Sequence, residues 1–173
     1  TTGQIVVIAL RLIVPLVIFR LPLAGTIAAM LLDGLDVVIV ELFGPGGMGD
    51  HYHNIDKVLD LYYLSIAAWT TRTWDSWIPQ RIAQFLFFYR VMGVVLFELI
   101  GWRPILFIFP NLFENWFLFA LIIWRFFPQV KLDTWGRCLG WLAVLCIPKL
   151  AQEYLLHIAQ AQPWGWLKQR LGL

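Results

Sequence analysis

Long apolar stretches alternate with short polar or proline-containing connections along the whole chain. A helix needs about 20 mostly apolar residues to cross the ~30 Å hydrocarbon core of a bilayer, and stretches near that length recur. We expect six helical spans, from about Gln4 to Phe19, Pro22 to Phe43, Ile55 to Trp69, Arg81 to Ile100, Pro104 to Phe126 and Trp135 to Ile158. The pattern predicts an all-α, polytopic membrane protein, with residues 1–173 forming a single transmembrane helical-bundle domain.

Helix-breaking residues between the apolar stretches agree with these boundaries. Proline cannot continue a helix from its interior, and Pro22, Pro79, Pro104 and Pro128 fall at or near the expected ends. The clearest loop is the glycine-rich segment 44–49, between the second and third stretches. Tryptophan is enriched at membrane–water interfaces, so we expect an aromatic belt from the tryptophans beside connections, which are Trp69, Trp74, Trp77, Trp102, Trp124 and Trp135.

Composition makes a soluble protein a poor interpretation. Apolar residues make up 60% of the chain and charged residues 14%, and the mean hydropathy is +0.73, which leaves too few polar groups to cover a soluble surface. The net charge of +2 and the lack of a basic run give no support to nucleic-acid binding. We expect an integral protein of a bacterial inner membrane, with membrane lipids and other membrane subunits or a homodimer as partners.

Charged and titratable residues recur inside or close to the apolar stretches. They are Arg11, Asp33, Asp36, Arg90, Glu98, Glu114, Lys149, Glu153 and His157. A charge at the bilayer centre costs at least ~2.5 kcal/mol, so this number predicts a polar interior. Such an interior is either a functional site or an ion-pair network that serves packing and assembly.

The sharpest group of these residues is acidic. Asp33 and Asp36 are three residues apart and Asp56 and Asp60 are four apart, so each pair lies on one helix face. The loop at 44–49 lets the two helices return antiparallel, which brings both pairs together. Converging carboxylates repel one another unless a cation neutralises them, and oxygen ligands suit Mg²⁺, Mn²⁺ or Ca²⁺. The alternative is that Asp56 and Asp60 are solvated residues of a helix start.

A second polar group lies on the sixth stretch. Lys149, Glu153 and His157 follow one another at spacings of four and share a helix face. Histidine titrates near neutral pH, so this stripe could relay protons. The alternative is a Lys149–Glu153 ion pair that is satisfied within the bundle. Arg90, Glu98 and Glu114 lie on adjacent stretches and could pair with one another.

Three short motifs resemble the CDP-alcohol phosphotransferase (CDP-alcohol phosphatidyltransferase) family. They are Leu10-Arg11-Leu12 followed by Pro15, Asp33-Gly34-Leu35-Asp36, and Asp56-Lys57-Val58-Leu59-Asp60, and the resemblance is limited to about residues 9–65. The family consists of six-helix membrane transferases of phospholipid synthesis. The resemblance implies Asp33, Asp36 and Asp56 as ligands of magnesium or manganese (Mg²⁺ or Mn²⁺) and Asp60 as the catalytic base.

The chain departs from the family signature between the second and third aspartates. Val37, Val40 and Glu41 stand where the family has Gly, Ala and Arg. The motifs therefore predict a diverged, membrane-embedded, metal-dependent phosphotransferase-like protein of lipid metabolism, either active or no longer catalytic. One alternative is a non-catalytic membrane subunit whose charges dock lipids or partner helices, and another is a proton or ion pathway protein.

Overall fold

The structure, a computed structural model, describes residues 2–42, 49–102 and 104–155. This part of the chain is helical and contains no strand. The helices are α1 (Thr2–Ile13), extended by a 3-10 helix at Val14–Phe19, α2 (Pro22–Leu42), α3 (Gly49–Thr70), α4 (Trp77–Ile100), α5 (Pro104–Ile108), α6 (Leu112–Phe126) and α7 (Trp135–Glu153). They follow the six expected stretches, so the all-α prediction is confirmed.

Some boundaries differ from the expected ones for identifiable reasons. The third helix begins at Gly49 and the fourth at Trp77, several residues earlier than the apolar pattern indicated. Pro79 lies within the first turn of α4, where its missing N–H costs nothing, so it does not mark the helix start. The glycine-rich loop lies almost entirely outside the described residues, as does the end of the sixth stretch.

The fifth stretch is divided, which the sequence analysis did not predict. α5 ends at Ile108 and α6 begins at Leu112, with Pro110 between them. Pro110 cannot donate a helical hydrogen bond. The Asn111 side chain then caps α6 by accepting a hydrogen bond from the Glu114 N–H, at 3.4 Å.

The core is centred on α6. Phe113, Trp116, Phe117 and Ala120 are fully buried, and their spacing places them on neighbouring faces of this helix. They pack with buried residues of α3 and α4 in one cluster. The indole N–H of Trp116 donates to the Pro79 carbonyl at 3.0 Å, so this buried polar group is satisfied.

The tryptophans divide into two groups. Trp69, Trp77, Trp102 and Trp135 are exposed, as an interfacial belt requires. Trp74 and Trp124 instead pack edge to face, with ring centroids 4.7 Å apart, and lie against the core cluster. These two side chains are therefore only partly exposed, because they pack against the end of the bundle as well as lying beside connections.

Two helical stretches among the described residues are long and apolar enough to cross a membrane, Trp77–Ile100 and Pro104–Phe126. These two stretches give weak support to a membrane protein. The first helical segment, Gly3–Phe19, is apolar but shorter.

Candidate metal centre

Three of the four aspartates singled out in the sequence converge in the structure. Asp33 and Asp36 lie near the end of α2 and Asp56 lies in the first half of α3. One carboxylate oxygen from each lies within 4.8 Å of the others. Helix spacing places the first two on one face, and the reversal of the chain between α2 and α3 brings the third beside them. We call Asp33, Asp36 and Asp56 the acidic cluster.

The guanidinium of Arg11 lies within the acidic cluster. Its Nη1 donates to Asp36 Oδ2 at 3.0 Å and also to Asp56 Oδ1, and its Nη2 donates to Asp33 Oδ1. The sequence analysis counted Arg11 among the membrane-depth charges but did not pair it with the aspartates. The sequence did contain a signal for this pairing. Arg11 lies about as far before the chain reversal at residues 20–22 as Asp33 lies after it, so the two face each other on antiparallel helices.

The donor set fits a divalent cation by chemistry and by charge. Hard carboxylate oxygens are the ligands that Mg²⁺ and Mn²⁺ prefer. With three ionised carboxylates and one permanently charged guanidinium, the formal charge of the group is −2, which one divalent ion balances. Access is uneven: the side chains of Asp33 and Asp56 are 48% and 39% exposed, whereas that of Asp36 is 9% exposed.

Asp60 lies outside the acidic cluster. It is one helical turn further along α3, where its Oδ2 lies 3.9 Å from Nη2 of Arg90 on α4. Arg90 also donates from Nη1 to the Phe109 carbonyl at 3.1 Å, and its buried Nε has no hydrogen-bond partner among the residues that the structure describes. The expectation that both aspartate pairs converge therefore holds for Asp33, Asp36 and Asp56. It is wrong for Asp60, because this side chain faces Arg90 of α4.

Glu114 is the centre of a second polar group. The hydroxyl of Tyr63 donates to Glu114 Oε1 at 2.7 Å, and the Asn111 side-chain amide donates to Oε2 at 3.1 Å. These contacts join α3 to the start of α6. The pairing of Arg90, Glu98 and Glu114 that the sequence allowed is not found in the described part of the chain. Glu98 pairs with Lys57 at 2.6 Å, and Arg90 lies beside Asp60.

The stripe on the sixth stretch contains a buried ion pair. Lys149 Nζ lies 3.2 Å from Glu153 Oε1, and both side chains are less than 10% exposed. Glu153 also accepts a hydrogen bond from the Asn111 N–H at 3.3 Å, and Lys149 donates to Gln152 at 3.2 Å. These contacts give both charged groups partners within the bundle. His157, the third residue of the predicted stripe, lies outside the described residues.

Comparison with protein-family models, with curated proteins and with solved structures found no match to this chain. The resemblance to the CDP-alcohol phosphotransferases thus stands on the residue motifs alone. What the structure adds is independent of any relative, namely the meeting of three aspartates from two helices around one arginine.

Proposed function

We propose that this chain is a membrane-embedded, divalent-metal-dependent phosphotransferase-like enzyme of lipid metabolism. The observation that carries this is the acidic cluster, whose three oxygens lie within 4.8 Å of one another. Asp33, Asp36 and Asp56 would hold Mg²⁺ or Mn²⁺, and Asp60 would act as the base. The same four residues occupy the motif positions that the family resemblance assigns to these roles.

A membrane location agrees with the surface of the protein. Large apolar side chains are exposed on most of the helices, including Ile5 on α1, Leu31 on α2, Phe85 and Leu99 on α4, and Ile147 on α7. Monomeric soluble proteins rarely expose apolar patches of such extent, because the contact with water is unfavourable. Hydrocarbon chains would cover these faces, and we propose that all six helical stretches span the membrane.

In a transfer reaction, different residues of the chain would hold the metal ion, position its ligands and accept the proton. When bound, a divalent cation polarises phosphoryl oxygens of a donor, which for the resembling family is a CDP-linked lipid or alcohol. Arg11 holds the carboxylates of Asp33, Asp36 and Asp56 in fixed positions by contacting one oxygen of each. Asp60, oriented by Arg90, would accept the proton of the acceptor alcohol.

The sequence departs from the family at the positions that would recognise a donor nucleotide. Val37 removes the close backbone approach that glycine permits, and Glu41 places a negative charge where the family has a cation. Both changes oppose recognition of a CDP group in the way that the family uses. The proposed donor class is therefore a membrane-soluble phosphoanhydride. The alcohol oxygen, deprotonated by Asp60, would bond to one phosphorus while the anhydride P–O bond breaks and the other phosphate leaves.

One observation favours a second candidate function. Arg11 contacts all three members of the acidic cluster, and a guanidinium in this position can serve as their cation without a metal ion. The cluster would then be a structural connection among α1, α2 and α3 in a non-catalytic membrane subunit. The two candidates differ in whether the cluster binds a divalent ion.

Binding of Mn²⁺ to the purified full chain in detergent, followed by electron paramagnetic resonance, separates the two. The enzyme proposal expects saturable binding that Asp36→Asn abolishes and that Asp75→Asn leaves unchanged, since Asp75 is an exposed carboxylate in a connection. Alcohol-dependent release of the phosphate leaving group from a phosphoanhydride lipid then tests transfer, and CDP-diacylglycerol is expected to be a poor donor. Wild-type protein that binds no Mn²⁺ would refute the metal centre and support the subunit role.

A further inference from the structure

A groove lies at the other end of α2 from the acidic cluster. It has a volume of about 760 Å³, within the range of ~300–1,000 Å³ that is usual for small-molecule sites. Its walls are formed by the beginning of α2 and the last turns of α6, together with the residues that join the 3-10 helix to α2. From Pro22 to Asp33 the helix rises about 16 Å, so the groove is well separated from the acidic cluster.

The chemistry of the groove is amphipathic. Leu23, Ala24, Ile27 and Leu121 supply apolar walls, and Trp124 also lines the groove. Contact with Trp74 fixes the Trp124 ring at this position. Tryptophan at the end of an apolar helix is typical of the level of lipid headgroups. The walls therefore suit a hydrocarbon chain that enters from the side.

Two cationic side chains lie at this groove. Arg20 follows the 3-10 helix and Arg125 lies in the last turn of α6, and both are exposed. No aspartate or glutamate lines the groove, and neither arginine forms an ion pair with a carboxylate in the described part of the chain. Two unpaired guanidinium groups beside one groove attract an anion, and a membrane supplies anions attached to hydrocarbon chains.

We propose that this groove binds an anionic phospholipid, with its phosphate between Arg20 and Arg125 and one acyl chain against Ala24, Ile27 and Leu121. The inference requires the membrane location proposed above but not the metal centre. Each arginine near an anionic lipid contributes about 1 kcal/mol, which corresponds to about a fivefold change in affinity. Loss of both would therefore weaken binding about 25-fold.

Native mass spectrometry of the full chain in detergent, with phosphatidylglycerol and phosphatidylcholine of equal chain length, measures this preference. We expect the Arg20→Gln/Arg125→Gln variant to lose about 25-fold in phosphatidylglycerol affinity and much less in phosphatidylcholine affinity, because the choline cation of phosphatidylcholine offsets its phosphate charge. Arg72→Gln is the matched control, because Arg72 is exposed near the end of α3, lies over the ring of Trp69 and does not line the groove. Equal affinity of the wild-type protein for the two lipids would overturn the inference.

A second variant tests the acyl chain separately from the charge. Ala24→Phe fills the apolar part of the groove at an exposed position, so folding should be preserved, and we expect it to weaken phosphatidylglycerol binding with both arginines present. Glycerol phosphate, which has the anion without the chain, should compete poorly. Effective competition by glycerol phosphate, or unchanged lipid binding in Ala24→Phe, would refute a lipid site. Mn²⁺ binding, measured on the same variants, should not change.

Discussion

The Nη1 atom of Arg11 on α1 lies 3.0 Å from the Oδ2 atom of Asp36 on α2, and both side chains are buried. Because the same guanidinium contacts Asp33 and Asp56, one side chain joins α1, α2 and α3 at a single point. Removing charges from water is costly, and the attraction between them repays that cost only with good geometry. Arg11 is thus required for the acidic cluster to exist as the structure shows it.

Substitution of Arg11 should destabilise the protein strongly. Arg11→Met keeps most of the side-chain volume but leaves three carboxylates without their cation, and breaking a buried ion pair in this way costs about 3–5 kcal/mol. Thermal unfolding of the purified protein in detergent measures the change. Arg81→Gln is the control, since Arg81 is exposed on α4, and its stability should match that of the wild type.

The response of Arg11→Met to metal distinguishes the two candidate functions. If the acidic cluster binds a divalent ion, Mn²⁺ at 100 times its dissociation constant should restore about 2.7 kcal/mol of stability. The ion would then supply the positive charge that the variant lacks. No recovery at any Mn²⁺ concentration would contradict the metal centre. An unchanged melting temperature in the variant without metal would contradict the structural role of Arg11.

Substitutions of Asp60 and Asp36 should have different effects on Mn²⁺ binding and on the transfer rate. Asp60 lies beside Arg90 and outside the acidic cluster, so Asp60→Asn should keep Mn²⁺ binding while its transfer rate falls by about 10²–10⁴-fold, the usual contribution of a general base. Asp36→Asn should lose both. Mn²⁺ binding and product formation are measured on the same preparations. Loss of Mn²⁺ binding in Asp60→Asn would show that Asp60 is a ligand rather than a base.

Apolar length and proline positions were enough to predict the helices, but not the break between α5 and α6. The segment from Pro104 to Phe126 is apolar throughout, and the predicted span therefore passed over Pro110. The structure ends α5 before this proline and begins α6 after it. Asn111 is a strong capping residue, so the Pro110-Asn111 pair indicates a helix end followed by a new helix start. The apolar residues on both sides outweighed this signal in the sequence analysis.

The acidic cluster was predictable because it depends on two simple features, the helical period and the reversal of the chain. Those features predict that Asp33, Asp36, Asp56 and Asp60 come together, and the structure brings the first three into one cluster. These features do not determine the side-chain partners, which come from other helices. Arg11 reaches the cluster from α1, and Arg90 reaches Asp60 from α4, so the division between the acidic cluster and Asp60 required the tertiary structure.

Close helix contact predicts a difference between two glycines. A Cβ atom at Gly25 on α2 would lie 2.6 Å from the backbone nitrogen of Ile18, whereas one at Gly140 on α7 would meet no atom within 4 Å. Gly25→Ala should therefore lower the unfolding free energy by about 1–3 kcal/mol, because backbone atoms cannot move aside easily. Gly140→Ala should be neutral or stabilising by up to ~1 kcal/mol, since alanine favours helix.

These two variants are compared by thermal unfolding in the same detergent. The substitution is identical and both positions are inside helices, so the difference isolates the approach of α2 to the 3-10 helix at Val14–Phe19. Equal stability of the two variants would show that these segments are further apart than the structure places them.

A double-mutant cycle distinguishes a structural ion pair of Lys149 and Glu153 from a proton relay. Lys149→Met removes the cation beside buried Glu153 and should cost about 3–5 kcal/mol. Glu153→Leu should cost a similar amount, because it removes the carboxylate beside buried Lys149. The double variant should recover most of this loss, because an apolar pair of similar volume avoids the desolvation of both charges. The Asn111 N–H, which donates to Glu153, limits the recovery.

Unfolding free energies of the four proteins give the coupling between the two side chains. A large favourable coupling means that the two charges stabilise the folded bundle by interacting with each other. A relay needs the charged groups for transport, so in that case proton flux into liposomes would fall in the double variant even though its stability has recovered. Additive single effects would contradict the ion pair itself, since two residues that do not interact show no coupling.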